Sequence, residues 1–101
     1  MKKSKSYQKT LIASLKNQEE AAAYLNAAME EADPALFLLA LRNVTEARGG
    51  VAKISSRAKL NRENLYRMLS KKGNPEFQSL GAVLEALGLR LAVETRLKKA
   101  A

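Results

Sequence analysis

The chain has 101 residues, enough for one apolar core and not for two. It carries a formal charge of +8, no cysteine and no histidine, and 47 % of its residues are apolar. Those values exclude a disulfide framework and wholesale disorder, and remove both the commonest general base and the commonest metal ligand.

No apolar run approaches the roughly 18 residues that a membrane span needs. No apolar secretory segment follows Lys2, Lys3, Lys5 and Lys9 either. A cytoplasmic binding protein is expected rather than an enzyme, with no metal and no cofactor. The charge is also unevenly spread. Residues 1–16 carry five lysines and no acid, residues 17–33 five acids and no base, and residues 49–74 seven basic residues against Glu63 alone. A polarised molecule follows, with one face suited to a polyanion.

In chain order, residues 1–6 read as a basic arm. A short helix over Tyr7 to Leu15 comes next, with Leu11, Ile12 and Leu15 on one side, so that 1–16 form a first segment. Asn17 and Glu20 have the spacing of a capping box. They open a helix to about Ala32 with Ala21, Tyr24, Leu25, Ala28 and Met29 as its buried stripe. Its acids Glu19, Glu20, Glu30 and Glu31 sit at opposite ends, too far apart for a metal or acid-base cluster. Asp33-Pro34 is an N-cap followed by a proline that needs no amide partner. The helix after it, to about Ala47, carries Leu36, Phe37, Leu39, Ala40, Leu41 and Val44 over more than half its circumference and is expected at the centre of the core. Gly49-Gly50 ends it, Gly49 as a left-handed cap; no Gly-Lys-Ser/Thr follows, so this is not a phosphate-cradling loop.

The segment from Gly50 to Asn74 organises the chain. Val51, Ile54 and Ala58 make one narrow apolar stripe, Asn61 stands as an N-cap, and Leu65, Met68 and Leu69 bury one side of a second helix. Two short helices about three residues apart form the helix-turn-helix pattern, whose second helix enters the DNA major groove. Arg62, Glu63 and Arg67 are the candidates for base edges, because arginine offers guanine two donors and a carboxylate accepts from cytosine. Lys53, Asn61, Asn64, Tyr66, Lys71 and Lys72 are candidates for phosphate contacts, with Tyr66 alternatively a core residue.

Beyond this unit, Gly73 or Asn74 is expected to take a positive φ, and Phe77, Leu80, Val83, Leu84 and Leu87 mark a helix stopped by Gly88. From Leu89 to Leu97 apolar and polar residues alternate, which predicts one β-strand. Leu89, Leu91 and Val93 would pair it with a second copy about a two-fold axis; the alternative is an extended tail on its own core, paired with residues 8–14. The expected fold is all-α: a small helical bundle containing a helix-turn-helix, with one short C-terminal β-strand. Its helical DNA-binding domain would span 17–88, with the helix-turn-helix at about 50–70 and a dimerising strand and tail at 89–101.

Several pieces together carry a family likeness: Ala23-Tyr24-Leu25-Asn26-Ala27-Ala28, Asp33-Pro34-Ala35-Leu36-Phe37, Ala47-Arg48-Gly49-Gly50, Leu65-Tyr66-Arg67-Met68-Leu69-Ser70, Gly73-Asn74-Pro75 and Leu87-Gly88-Leu89-Arg90-Leu91. Residues 50–69 resemble the XRE/Cro-like helix-turn-helix domains. The chain from about Gln18 to Val93 resembles the prophage-type proteins described as probable addiction-module antidotes, related to the HigA-like antitoxins. It departs from that pattern twice, with Lys59 where the family's turn has glycine and Ser55 where a smaller residue is usual. Lys59 in a left-handed conformation would cost about 1 kcal/mol relative to glycine. Ser55 would fit if its hydroxyl bonded back to its own helix.

The resemblance implies a DNA-binding transcriptional regulator, the antitoxin of a toxin-antitoxin pair that represses its own operon. Its partners would be double-stranded DNA, a cognate toxin and a second copy of itself. The alternatives are a prophage-type repressor without a toxin, and a toxin-sequestering module with weak DNA binding whose surface is the acidic helix at 21–32. RNA binding is disfavoured, because five aromatic residues spread over all the elements give no stacking platform.

Overall fold

Asn17, Asp33 and Asn61 each place a side-chain oxygen over the first free amides of a helix. Asn17 Oδ1 accepts from the Glu20 amide at 2.9 Å and Asp33 Oδ1 from Ala35 at 3.0 Å. Asn61 Oδ1 accepts from Glu63 at 2.7 Å and Asn64 at 3.3 Å. These caps fix where the middle of the chain becomes helical. The computed structural model describes residues 5–70 and 72–96. Its helices are α1 (Lys5–Ser14), α2 (Gln18–Glu30), α3 (Pro34–Ala47), α4 (Gly50–Ala58), α5 (Arg62–Met68) and α6 (Phe77–Ala86). None of them is long and apolar enough to cross a membrane.

α3 is the central helix, as its composition predicts. Ala40, Leu41, Val44 and Ala47 are buried in one apolar cluster with Leu15, Leu25, Ile54, Leu65, Val83 and Leu87. It packs against α1, α2 and α4; α4 in turn packs on α5 and α6. The ends of the chain are tied together by Gln18, whose Nε2 donates to the Gly88 carbonyl at 2.6 Å. A buried polar side chain sits within this frame. Asn43 accepts from Gln8 Nε2 at 3.3 Å and donates from Nδ2 to the Tyr24 hydroxyl at 2.8 Å, joining α1, α2 and α3. An apolar stripe predicts no such network; burying Asn43 requires it.

Two helices end in the same motif built on different residues. After α6 the Leu89 amide donates to Leu84 O at 2.8 Å and Gly88 to Glu85 O at 2.9 Å, with Gly88 at φ 79°. After α4 the Leu60 amide donates to Ser55 O at 2.9 Å and Lys59 to Ser56 O at 3.2 Å, with Lys59 at φ 58°. Both are Schellman caps. At Lys59 the left-handed position is filled by a residue with a Cβ, as the sequence comparison with the family turn anticipates. Ser55 also behaves as expected: it is buried, and its Oγ donates to the Ala52 carbonyl at 3.0 Å.

Several expectations are corrected. The expected strand does not form over 89–96, and no strand occurs among the described residues; residue 97 lies outside them. A strand needs a neighbour for its N–H and C=O groups, and the candidate within the chain, 8–14, is helical. Only Leu89 turns inward, over the end of α6, whereas Leu91 is 38 % and Val93 99 % exposed. α1 already includes Lys5 and Ser6, which the basic arm was expected to hold; residues 1–4 lie outside the described residues. Met29, Leu36, Leu39 and Phe77 are exposed rather than core residues. Neither Gly73 nor Asn74 has a positive φ. Glycine is required at 73 for another reason: its backbone lies so close to the Met68 carbonyl that a Cβ has no room.

α5 is only seven residues long and is held at both ends. Asn61 caps its start, and Arg42 of α3 donates from Nε to the carbonyl of Leu69, its C-cap residue, at 3.1 Å. Two substitutions test this description in urea denaturation. Lys59→Gly should raise the unfolding free energy by about 0.5–1 kcal/mol, the left-handed cost of lysine less the chain entropy of glycine; a fall would contradict the strained cap. Arg42→Ala should lower it by about 1–2 kcal/mol; an unchanged midpoint would mean that water serves Leu69 equally well.

Candidate nucleic-acid interface

The site is built outward from the buried side of α5. Leu65, Met68 and Leu69 are buried, so a helix of 3.6 residues per turn must turn Glu63 and Arg67 directly away from the core. Tyr66 stands beside them, 59 % exposed, and Arg62 and Asn64 flank the pair, both exposed. The structure therefore brings Arg62, Glu63 and Arg67 onto one accessible surface. It also removes the core alternative for Tyr66 and adds its ring to that surface.

The phosphate candidates are placed less uniformly. Lys53 is exposed on α4 and Lys72 is exposed after α5, while Lys71 lies outside the described residues. Asn64 is exposed. Asn61 is exposed too, but its oxygen is committed to the helix cap, which leaves only its amide nitrogen for a phosphate. Arg57, in the last turn of α4, and Lys59, in the turn, are also exposed. The sequence reading counts both in the charge of residues 49–74 and assigns neither to DNA. A polar count over α4 would have found them.

Beside α5 a cleft of about 430 Å³ opens between the helix and the segment before α6. Asn64, Arg67 and Lys72 line one part of it, and Asn74, Glu76 and Ser79 another. Arg42, the side chain that holds the end of α5 from α3, was likewise not singled out by the sequence; its signal is a lone cation on the most apolar helix. The dimerisation candidates divide, with Leu89 partly buried against its own core and Leu91 and Val93 left outside.

The electrostatics are simple. Lys53, Arg57, Lys59, Arg62, Arg67 and Lys72 lie within one two-helix unit and its flank, all exposed, with Glu63 as the acid among them. Low-lying hydrogen-bond donors and cations on a protruding helix suit an anionic, grooved surface. No group of histidine, cysteine, aspartate and glutamate among the described residues could hold a metal ion.

Comparisons with known proteins agree with this architecture at the level of family. A family model described as "Probable addiction module antidote protein" matches residues 6–95, which takes in nearly all of α1 and the whole of α2 to α6. An uncharacterised protein of Haemophilus influenzae is 38% identical over 80 residues, covering 79% of this chain and 81% of its own length. No solved structure matches the chain. With nine-tenths of its length matched, the chain belongs to the family of probable addiction module antidote proteins.

Proposed function

We propose that the chain is the antidote component of an addiction module, and that it binds duplex DNA through α4 and α5 to repress its own operon. It binds rather than catalyses. The observation that carries the DNA reading is the coincidence of two independent features. α5 is capped, short and turned so that Arg62, Glu63, Tyr66 and Arg67 face outward, and the same unit and its flank hold six exposed basic residues, Lys53, Arg57, Lys59, Arg62, Arg67 and Lys72. The family supports the antidote half of the reading, with a cognate toxin as its protein partner.

In this reading the two helices form an XRE-like helix-turn-helix. α5 enters the major groove, Arg62 and Arg67 each offer a bidentate fork to guanine, and Glu63 accepts from cytosine. Lys53, Arg57 and Lys72 grip phosphates on either side and set register without reading sequence. Arg42 acts only through α5, as the group that fixes its C-terminal end. A two-fold pair of chains would present two such helices about 34 Å apart, one turn of DNA. Leu91 and Val93, left exposed after Leu89 turns inward, supply apolar surface for that pairing.

Fluorescence anisotropy on a duplex from the region preceding the chain's own gene tests the proposal. The logarithm of affinity should fall linearly with the logarithm of salt concentration. Arg67→Ala should cost about 1–3 kcal/mol and relax preference at one base pair, while Lys53→Ala should weaken all sequences alike and lower the salt slope by about one. An inverted repeat should bind more tightly than a single half-site. Equal operator binding by the parent and by the doubly substituted Arg62→Ala/Arg67→Ala chain would reject this reading face.

A further inference from the structure

A second surface lies between α2 and α3, outside the α4–α5 unit. α2 and α3 form an antiparallel hairpin closed by the turn at 31–33, and where they face each other α2 offers Ala27 and Ala28 and α3 offers Ala40. Alanine spans the contact without filling it. A groove of about 240 Å³ remains, with Ala28 and Ala40 buried, Tyr24, Leu36 and Leu39 as its larger walls and Glu31 on its rim. Leu36 is 37 % and Leu39 43 % exposed although they belong to the most apolar helix of the chain. Together with the groove they form an apolar surface that a partner could cover.

From this we infer that the α2–α3 groove is the docking site for the module's toxin, and that the toxin inserts one or two large apolar side chains from a segment flanked by lysine or arginine. The inference rests on the antidote reading above and adds the place and chemistry of the contact. Its size argues for protruding side chains: a free small molecule commonly needs roughly 300–1,000 Å³. The charge argues for a basic partner. Glu30, Glu31 and Asp33 cluster at this end of the hairpin, within a segment, 17–33, that holds five acids and no base. The carboxylates of Glu30 and Glu31 accept no hydrogen bond among the described residues, so they face solvent ready to pair with cations.

The same charges argue against a second copy of this chain. A two-fold contact would set each acidic rim against its own image. A head-to-tail contact with the basic face of another copy would cover the proposed DNA surface and build a ring or an open filament rather than a two-fold pair. The groove shares no lining residue with the cleft beside α5, so DNA and toxin would occupy separate surfaces.

Deleting residues 1–32 is not a usable test, because it removes Leu15, Ala21, Leu25 and Ala28 from the core. Point substitutions at exposed positions avoid that problem. The experiment is calorimetric titration of the full chain with the purified protein encoded beside it in the module. It compares the parent, Leu39→Arg, Glu31→Lys, the two combined, and Arg67→Ala. Each groove substitution should weaken binding roughly tenfold or more, and the pair more still. Far-UV circular dichroism and operator affinity should stay at parental values. Arg67→Ala should leave toxin affinity unchanged. Parental toxin affinity in the combined variant would overturn the groove assignment and leave the antidote reading standing. Failure of the parent itself to bind its neighbour would overturn both. If light scattering instead showed that the combined variant dissociates a parental dimer, the occupant would be a second copy, and the proposal would be wrong.

Discussion

The buried stripe of α3 is the constraint from which the other helices take their positions. Leu41 and Val44 have no exposed surface, and they share one cluster with Leu25 of α2, Ile54 of α4 and Leu65 of α5. Truncating one such leucine typically costs about 2–5 kcal/mol, against a total stability of roughly 5–15 kcal/mol for a domain of this kind. The margin is therefore small, and few alternative packings could retain it. α2 and α4 both pack on this helix, which holds the acidic segment 17–33 and the basic α4–α5 unit as separate elements of one core.

That separation gives the molecule two working faces on one core. α5 contributes two buried residues, its C-cap Leu69 a third, and it is too short to hold itself, since isolated helices below about 12–15 residues are marginal in water. It is rigid because Asn61 caps its start, Arg42 holds its end, and Leu65, Met68 and Leu69 bury its inner side. A helix fixed at both ends presents Arg62, Glu63 and Arg67 in a defined register, which is what discrimination among bases needs and what a flexible basic segment cannot provide. The α2–α3 hairpin works differently. There the alanines leave space and the leucines stand outside, a surface shaped for insertion rather than for reading.

Much of this was legible in the sequence because its signals are local. Asn17, Asp33 and Asn61 announce helix starts, Gly88 announces a stop, and the 3.6-residue spacing of Leu65, Met68 and Leu69 orients α5. Lys59 is legible only against the glycine usual in the family turn. What failed was information that depends on partners. The alternation of Leu89, Leu91 and Val93 has the period of a strand, but period alone supplies no neighbour, and no strand stands beside it among the described residues. Leu36, Leu39, Met29 and Phe77 were assigned to the core by hydropathy, which cannot tell an apolar residue facing the core from one facing outward. Asn43 was hidden for the opposite reason: its burial depends on Gln8 and Tyr24, 35 and 19 residues away.

The central claim is that DNA is met by α4 and α5 and by no other face. Amide chemical-shift mapping of the full chain, titrated with a duplex from the region preceding its own gene, tests it most directly. The account predicts that the largest shifts fall between Lys53 and Lys72, concentrated at Arg62 to Arg67, with the amides from Tyr24 to Leu39 unmoved. Shifts centred on the α2–α3 hairpin, or none on α5 at saturating DNA, would contradict it.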